Sequence, residues 1–254
     1  MAKDIVMIHG ANESGWVFDR FKAVFEQLGW NCYAPDLVGH GLNADKKGAA
    51  LVGVGMADYL AELETFLNKV GPRPVLLGHS MGAVLAQQLA AEGLGRAVVL
   101  VSPAPRAGIL PQSDSEKQLG QDLMGLGAFW KSVIKPDFDL ARVLSLNCIP
   151  EAEQRAVFDK FGPESGRAFF ELFFWMFDKT GATKVDIDAV TRPVLWWRAP
   201  ATSWCRQLRR ARPPQASRVR PSGNSQATAT CWCSSPAPRI SPVASQRGFR
   251  LRRT

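Results

Sequence analysis

The sequence predicts an α/β fold: a doubly wound, mostly parallel sheet with helices on both faces, a helical segment inserted late in the chain, and an irregular C-terminal segment. Three observations predict it. Apolar runs at 4–8, 74–77 and 97–101 are continuous rather than alternating, as in strands covered on both faces. Stretches with helical spacing separate them, so strands and helices alternate. From about 106 to 188 the strand pattern gives way to helical stretches rich in large apolar groups.

Residues 4–8 read as the first buried strand, and His9-Gly10-Ala11-Asn12 as the turn into a helix over 16–28. Val17, Phe21, Val24, Phe25 and Leu28 share one face of that helix, and Gly29 stops it. A strand over 31–34 then runs into the loop Pro35-Asp36-Leu37-Val38-Gly39-His40-Gly41. Met56, Tyr59, Leu60, Leu63, Phe66, Leu67 and Val70 keep helical spacing up to the stop signal Gly71-Pro72. Strand 74–77, a tight turn at 78–82, a helix over 83–92 closed by Gly93 and strand 97–101 complete this part. Inserted helices are expected over 123–134, 151–161 and 166–179. The last carries Phe169, Phe170, Leu172, Phe173, Phe174, Trp175, Met176 and Phe177 and is apolar nearly all round, which suits packing within the insertion or lining of an apolar pocket. Residues 185–195 resume the approach to another strand.

The 254 residues suit one domain with an inserted lobe. The run Ile5-Val6-Met7-Ile8 is too short for a secretory signal, and no span of about 18 apolar residues is uninterrupted, so a soluble cytoplasmic protein with no membrane span is expected. Five scattered cysteines make no disulfide framework. The net charge of +8 conceals two compositions. Residues 193–254 hold twelve arginines and no lysine, aspartate or glutamate; the remaining 19 of the 31 basic residues and all 23 acidic ones lie in 1–192. A basic extension that binds nucleic acid would need aromatic or basic clustering on a folded face. Trp196, Trp197, Trp204 and Trp232, set among prolines, do not supply it, and no nucleic-acid partner is expected. Cys205, Cys231 and Cys233 fit no common zinc spacing, so no metal is expected.

Chemistry concentrates at Gly78-His79-Ser80-Met81-Gly82. The serine stands where a buried strand turns sharply into a helix, the context a Gly-x-Ser-x-Gly elbow requires. The turn forces the serine into a strained backbone conformation and crowds the residues two before and two after it, so both are glycine. Ser80 Oγ is thereby lifted out of the chain, with the N–H of Met81 aimed from the helix N-terminus at the place where negative charge would develop.

These motifs in this order, with His-Gly after the first strand, Pro-Asp-Leu-x-Gly-His-Gly after the second and Ser102-Pro103 after the fourth, resemble the α/β-hydrolase superfamily, in particular its small soluble esterase-like members. The resemblance covers residues 1 to about 195. It implies a core over 1–105, a helical lid over 106–188, a return to the core over 189–195 and an atypical basic tail over 196–254. Ser80 matches the nucleophile, and the N–H groups of Ala11 and Met81 match the oxyanion donors. Gly10, His79, Phe129, Trp130 and Phe173 are candidate pocket-lining residues. Asp36 and His40 match a loop motif that is usually structural. The implied activity is hydrolysis of a small apolar carboxylic ester, thioester or lactone through an acyl-enzyme, without a cofactor. Carbon–carbon bond hydrolysis and non-catalytic ligand binding are the alternatives.

The family also uses an acid and a histidine, in that order, after the nucleophile. This sequence has only His9, His40 and His79, none beyond Ser80. His79 is expected to diverge from Ser80 Oγ across the elbow, and His9 lies near the expected oxyanion hole. The composition change at about Leu195 suggests a cause: the tail reads as the out-of-frame translation of a GC-rich gene. Written with GC-rich codons and read from the wobble base of Leu195, residues 196–202 can give Val-Val-Ala-Gly-Ala-Arg-Asp, a strand followed by an acid. Residues 227–236 can likewise give Asp-Gly-His-Met-Leu-Val-Leu-Glu-Pro. Both missing groups reappear in the required order. Nucleotide sequencing around codon 195 is expected to show a frame change there; an intact frame whose natural product carries this tail overturns the reading.

Overall fold

The computed structural model describes residues 3–44, 48–71, 73–110, 114–147 and 149–197. The tail beyond Trp197, with its cysteines and the segments read as shifted in frame, lies outside the described residues.

The continuous apolar runs form strands with both faces covered. β1 (Asp4–Ile8) alternates its side chains between two clusters: Ile5 and Met7 pack with Val17, Phe18, Val75 and Leu77, while Val6 and Ile8 join the larger core. A 3₁₀ turn over Gly15–Phe18 leads into α1 (Asp19–Gln27), followed by β2 (Asn31–Tyr33). α2 (Met56–Val70) spans the expected residues and buries Met56, Tyr59, Leu63 and Leu67. β3 (Val75–His79) runs into α3 (Met81–Ala91), and β4 (Ala97–Val101) follows. All strands of the main sheet are parallel, in the order β2-β1-β3-β4-β7, with β7 at Val194–Trp197. From β1 the chain winds outward to β2, then returns to place β3 on the other side of β1. This reversal lies between β1 and β3, where open sheets of this kind leave a crevice beyond the carboxyl ends of the strands.

Several expected boundaries move. Val24 and Leu28 are 57% and 59% exposed, not part of a buried face. The 3₁₀ start advances about three residues per turn, which rotates the later positions away from the sheet. In the inserted segment, α4 (Asp114–Gly125) ends where a helix was expected to be starting, and Gly127 at φ 66° breaks the path before a turn at Phe129–Lys131. β5 (Val133–Ile134), α5 (Phe138–Leu144), α6 (Glu151–Phe158) and β6 (Glu164–Ser165) follow. β5 pairs antiparallel with β6, two residues each, too short for a periodic signal. α7 (Gly166–Phe173) is capped by the Ser165 hydroxyl and stops at Phe174, so Phe177 is exposed instead of helical. The return strand includes Trp196 and Trp197, which pair with Leu100 and Val101, so the core extends past the expected limit at 195. Leu195 and Trp196 remain exposed on this strand. Among the described residues no helix is long and apolar enough to cross a membrane.

The inserted segment is joined to the core by buried polar contacts. Glu164 has no exposed surface; its carboxylate accepts from Tyr59 Oη at 2.7 Å, Ser165 N at 2.7 Å, His40 Nε2 at 3.1 Å and Asn12 N at 3.4 Å. His40 Nδ1 faces the Val38 carbonyl at 3.0 Å, so both ring nitrogens meet acceptors and the ring is an imidazolium. Further along, Glu171 accepts the Met56 N–H at the start of α2 and is itself held by Arg167. Burial alone would neutralise both members of the buried pair. Their facing charges and hydrogen bonds outweigh it, holding His40 above its ordinary 6.5 and Glu164 below its ordinary 4.5.

His40 is raised on folding, so its contribution is complete below about pH 6.5 and disappears as pH rises through the folded value. Glu164 is lowered, so its contribution is complete above about pH 4.5 and disappears as pH falls through the folded value. Thermal unfolding against pH is expected to show maximal support from this pair between those limits. Glu164→Gln, which leaves the imidazolium uncompensated, is expected to cost about 3 kcal/mol, and His40→Gln to remove the alkaline decline.

Candidate active site

The carboxyl ends of β1 and β3 carry residues 9–13 and 79–81 to the crevice. Ser80 has φ 50° and ψ −117°, a conformation that L residues rarely adopt and that costs on the order of 1–3 kcal/mol. Three backbone hydrogen bonds hold it: Ser80 N donates to Val101 O, and Ser80 O accepts from Ala83 N and Ala104 N. Crowding makes the turn tight. A Cβ on Gly78 would lie 2.3 Å from Gly82 O, and one on Gly82 would lie 2.2 Å from Ile8 O. Gly10 is equally constrained, since a Cβ there would lie 2.9 Å from Ser80 Cβ and 3.3 Å from His79 Nδ1. The loop after β1 therefore crosses directly beside the serine. Neither Ala11 N–H nor Met81 N–H has an acceptor among the described residues, and Ser80 Oγ has no hydrogen-bond partner there.

The three histidines have separate duties. His9 is fully buried, with Nδ1–H donating to Gly10 O and Nε2 accepting from Leu37 N, so both nitrogens are engaged and the ring is neutral. Burial first, then the neighbouring His40, push its pKa down to about 4. His40 belongs to the buried pair with Glu164. His79 turns from the serine to Glu13, with Nδ1 2.8 Å from Oε2, and 30% of its side chain is exposed. Burial opposes the charged forms, but the facing charges raise His79 and lower Glu13. None of the three hydrogen-bonds to Ser80 Oγ, and no acid–histidine couple stands over it among the described residues. No group of three potential metal ligands occurs there either.

The aromatic candidates lie in the inserted segment. Phe129 is fully buried, its ring 5.6 Å from those of Trp130 and Phe174, so it is enclosed by the segment's own aromatic groups and offers no open surface as a pocket wall. Phe173 is buried against Phe169, and Trp130 is 37% exposed. Sequence reasoning missed Glu13 and Glu164. Glu13 follows Gly10 by three residues and its carboxylate accepts the Gly10 N–H, a local turn pattern that could have been noticed. Glu164 stands 124 positions from His40 and carries no local signal.

The fold has a counterpart in known proteins. The sequence profile described as "Alpha/beta hydrolase family" matches residues 5–242. The chain belongs to this family. The match runs past the composition change near Leu195. The chain is similar to a pyrethroid hydrolase from Sphingobium wenxiniae, with 34% identity over 87 residues, 34% of this chain and 30% of that protein. The match thus spans under a third of the relative's length. Among solved structures, an extracellular alpha/beta-hydrolase from a Paenibacillus species aligns at TM-score 0.57 and 21% identity over 77% of both chains. A methylesterase from Arabidopsis aligns at TM-score 0.59 and 13% identity over 83% of both chains. At these identities the structural likeness shows the fold alone.

The crowding yields a direct test. Gly82→Ala is expected to destabilise the protein by about 1–3 kcal/mol, since backbone carbonyls cannot retreat from the added methyl. Gly125→Ala, with nothing within 4 Å of the new Cβ, is expected to be neutral or stabilising. Chemical denaturation of the two variants measures the difference.

Proposed function

We propose that the chain is a serine hydrolase scaffold for small apolar carboxylic esters, with Ser80 as the nucleophile and the N–H groups of Ala11 and Met81 as the oxyanion hole. One observation carries this reading: an unpartnered hydroxyl on a strained elbow stands beside two backbone donors without acceptors, at the reversal point of the sheet. The family membership and the similarity to a pyrethroid hydrolase support hydrolytic chemistry.

In the proposed reaction Ser80 Oγ attacks the ester carbonyl, and its proton passes to a histidine base. The tetrahedral oxygen takes hydrogen bonds from Ala11 N–H and Met81 N–H, preformed donors whose stabilisation grows as charge develops. Collapse expels the alcohol, protonated by the same histidine. Water then attacks the acyl-enzyme, gives its proton to that base and releases the acid, restoring Ser80. His9 and His40 cannot serve, being buried and bonded at both ring nitrogens, and His79, with Nδ1 on Glu13, makes no hydrogen bond to Ser80 Oγ. We assign the base and its orienting acid to the neighbouring reading frame of the tail. The aromatic helices between β4 and β7 form the lid over the acyl group in this proposal.

The absence of a base beside Ser80 among the described residues also favours a second reading, a hydrolase-like protein that binds an apolar ligand without turnover. Turnover of a p-nitrophenyl acyl ester and labelling by a fluorophosphonate separate the two. The frame-restored product is expected to turn over the ester and label at Ser80, and Ser80→Ala to abolish both. The present chain is expected to be slower by on the order of 10⁶, the loss typical when a triad's base is removed. Undiminished turnover in Ser80→Ala overturns the assignment of the nucleophile; a frame-restored product without labelling or turnover points to the binder.

A further inference from the structure

The mechanism leaves Glu13 and His79 without a task, yet their contact bridges the loop after β1 and the end of β3. Glu13 Oε2 accepts from Gly10 N at 2.9 Å and lies 2.8 Å from His79 Nδ1, while Glu13 N donates back to Gly10 O at 3.4 Å. One carboxylate oxygen thus bonds the residue before Ala11 and the residue before Ser80. The two proposed oxyanion donors sit on opposite sides of this bridge: Ala11 follows Gly10 directly, and Met81 lies two residues beyond His79.

The far side of the same loop is anchored separately. Asn12, at φ 62°, donates from Nδ2 to Gly162 O at 2.8 Å, and its carbonyl accepts from Gly162 N at 2.9 Å; its own N–H faces Glu164 at 3.4 Å. Asn12 therefore ties the loop to the inserted segment, and Glu13 ties it to the elbow. Of the two ties, the second spans loop and elbow directly, across the spacing an oxyanion hole depends on. A displacement of about 1 Å there is enough to cost a large factor in rate.

We propose that Glu13 is a positioning residue that, through His79, holds the Ala11 N–H in register with the Met81 N–H before substrate arrives. The inference rests on the reading of those two groups as oxyanion donors. The brace is charge-assisted, shielded by the 12% exposure of the Glu13 side chain, and partly open to solvent at His79. The charged groups that face it are few: Glu13 itself faces His79, and on its other side His9, which is neutral.

Nuclear magnetic resonance of the uniformly ¹⁵N-labelled full chain tests the brace without needing turnover. The His79 ring is expected to titrate above the ordinary histidine range, and the Ala11 and Met81 amide signals to shift with the same midpoint. Glu13→Gln is expected to lower that midpoint by about one pH unit and to abolish the response of Ala11. Asn12→Ala, which cuts only the tie to the inserted segment, is expected to leave the His79 midpoint in place. If Glu13→Gln does not fold, His79→Asn carries the test, since the pH response of Ala11 must then vanish. An Ala11 amide indifferent to His79 titration, or a midpoint unmoved in Glu13→Gln, overturns the brace. Fluorophosphonate labelling of the frame-restored product reports the nucleophile separately: coupled amides without labelling of Ser80 support the brace and overturn the hydrolase reading.

Discussion

The site depends on one steric constraint, the approach of the first turn of α3 to the end of β1. Gly82 lies so close to the carbonyls of Ile8 and His9 that no side chain fits between them. That contact pulls the start of the helix against the neighbouring strand, and the chain can join β3 to α3 over so short a distance only by placing Ser80 at positive φ. The strain at Ser80 is held by the parallel pairing of β3 with β1 and β4 and by the carbonyl of Val101. A serine in this conformation projects from the sheet, while the helix behind it presents a free N–H at Met81. Strain, projection and donor all arise from the same close contact.

A second constraint is electrostatic. Glu164 is a carboxylate without solvent, acceptable only because four donors from four parts of the chain converge on it. Those donors come from the loop after β1, the loop after β2, α2 and the inserted segment. Leaving any one unpaired is costly, so the segment is locked to the core at a defined place. This lock lies next to Asn12 and so reaches the loop bearing Ala11. The inserted segment thus contributes to the shape of the site through backbone contacts as well as through its aromatic groups.

The sheet is less complete than the site it supports. β7 pairs with β4 alone among the described residues, and its Leu195 and Trp196 expose apolar surface that a central parallel strand would bury. The register with β4 puts Trp196 and Trp197 where the alternative frame reads Val-Val, a pair with the same strand preference and far less bulk. Both pairs suit a strand, so the pairing with β4 does not depend on which of them stands there.

Much of this was legible in the chain itself. Continuous apolar runs determined the strands, helical spacing determined α2 to the residue, and the two glycines around Ser80 determined the elbow, because each is a local steric or hydrophobic requirement carried by neighbours in sequence. Local signals also misled: the face expected for α1 ignored the 3₁₀ turn before it, and the aromatic run after Ser165 hid the end of α7 at Phe174. Tertiary structure alone decided what the histidines do. His9, His40 and His79 look alike as letters, yet one is neutral between two backbone groups, one is an imidazolium on a glutamate from 124 residues away, and one is drawn aside by Glu13. Protonation and orientation depend on burial and on partners brought together by folding, and no local pattern of residues encodes either.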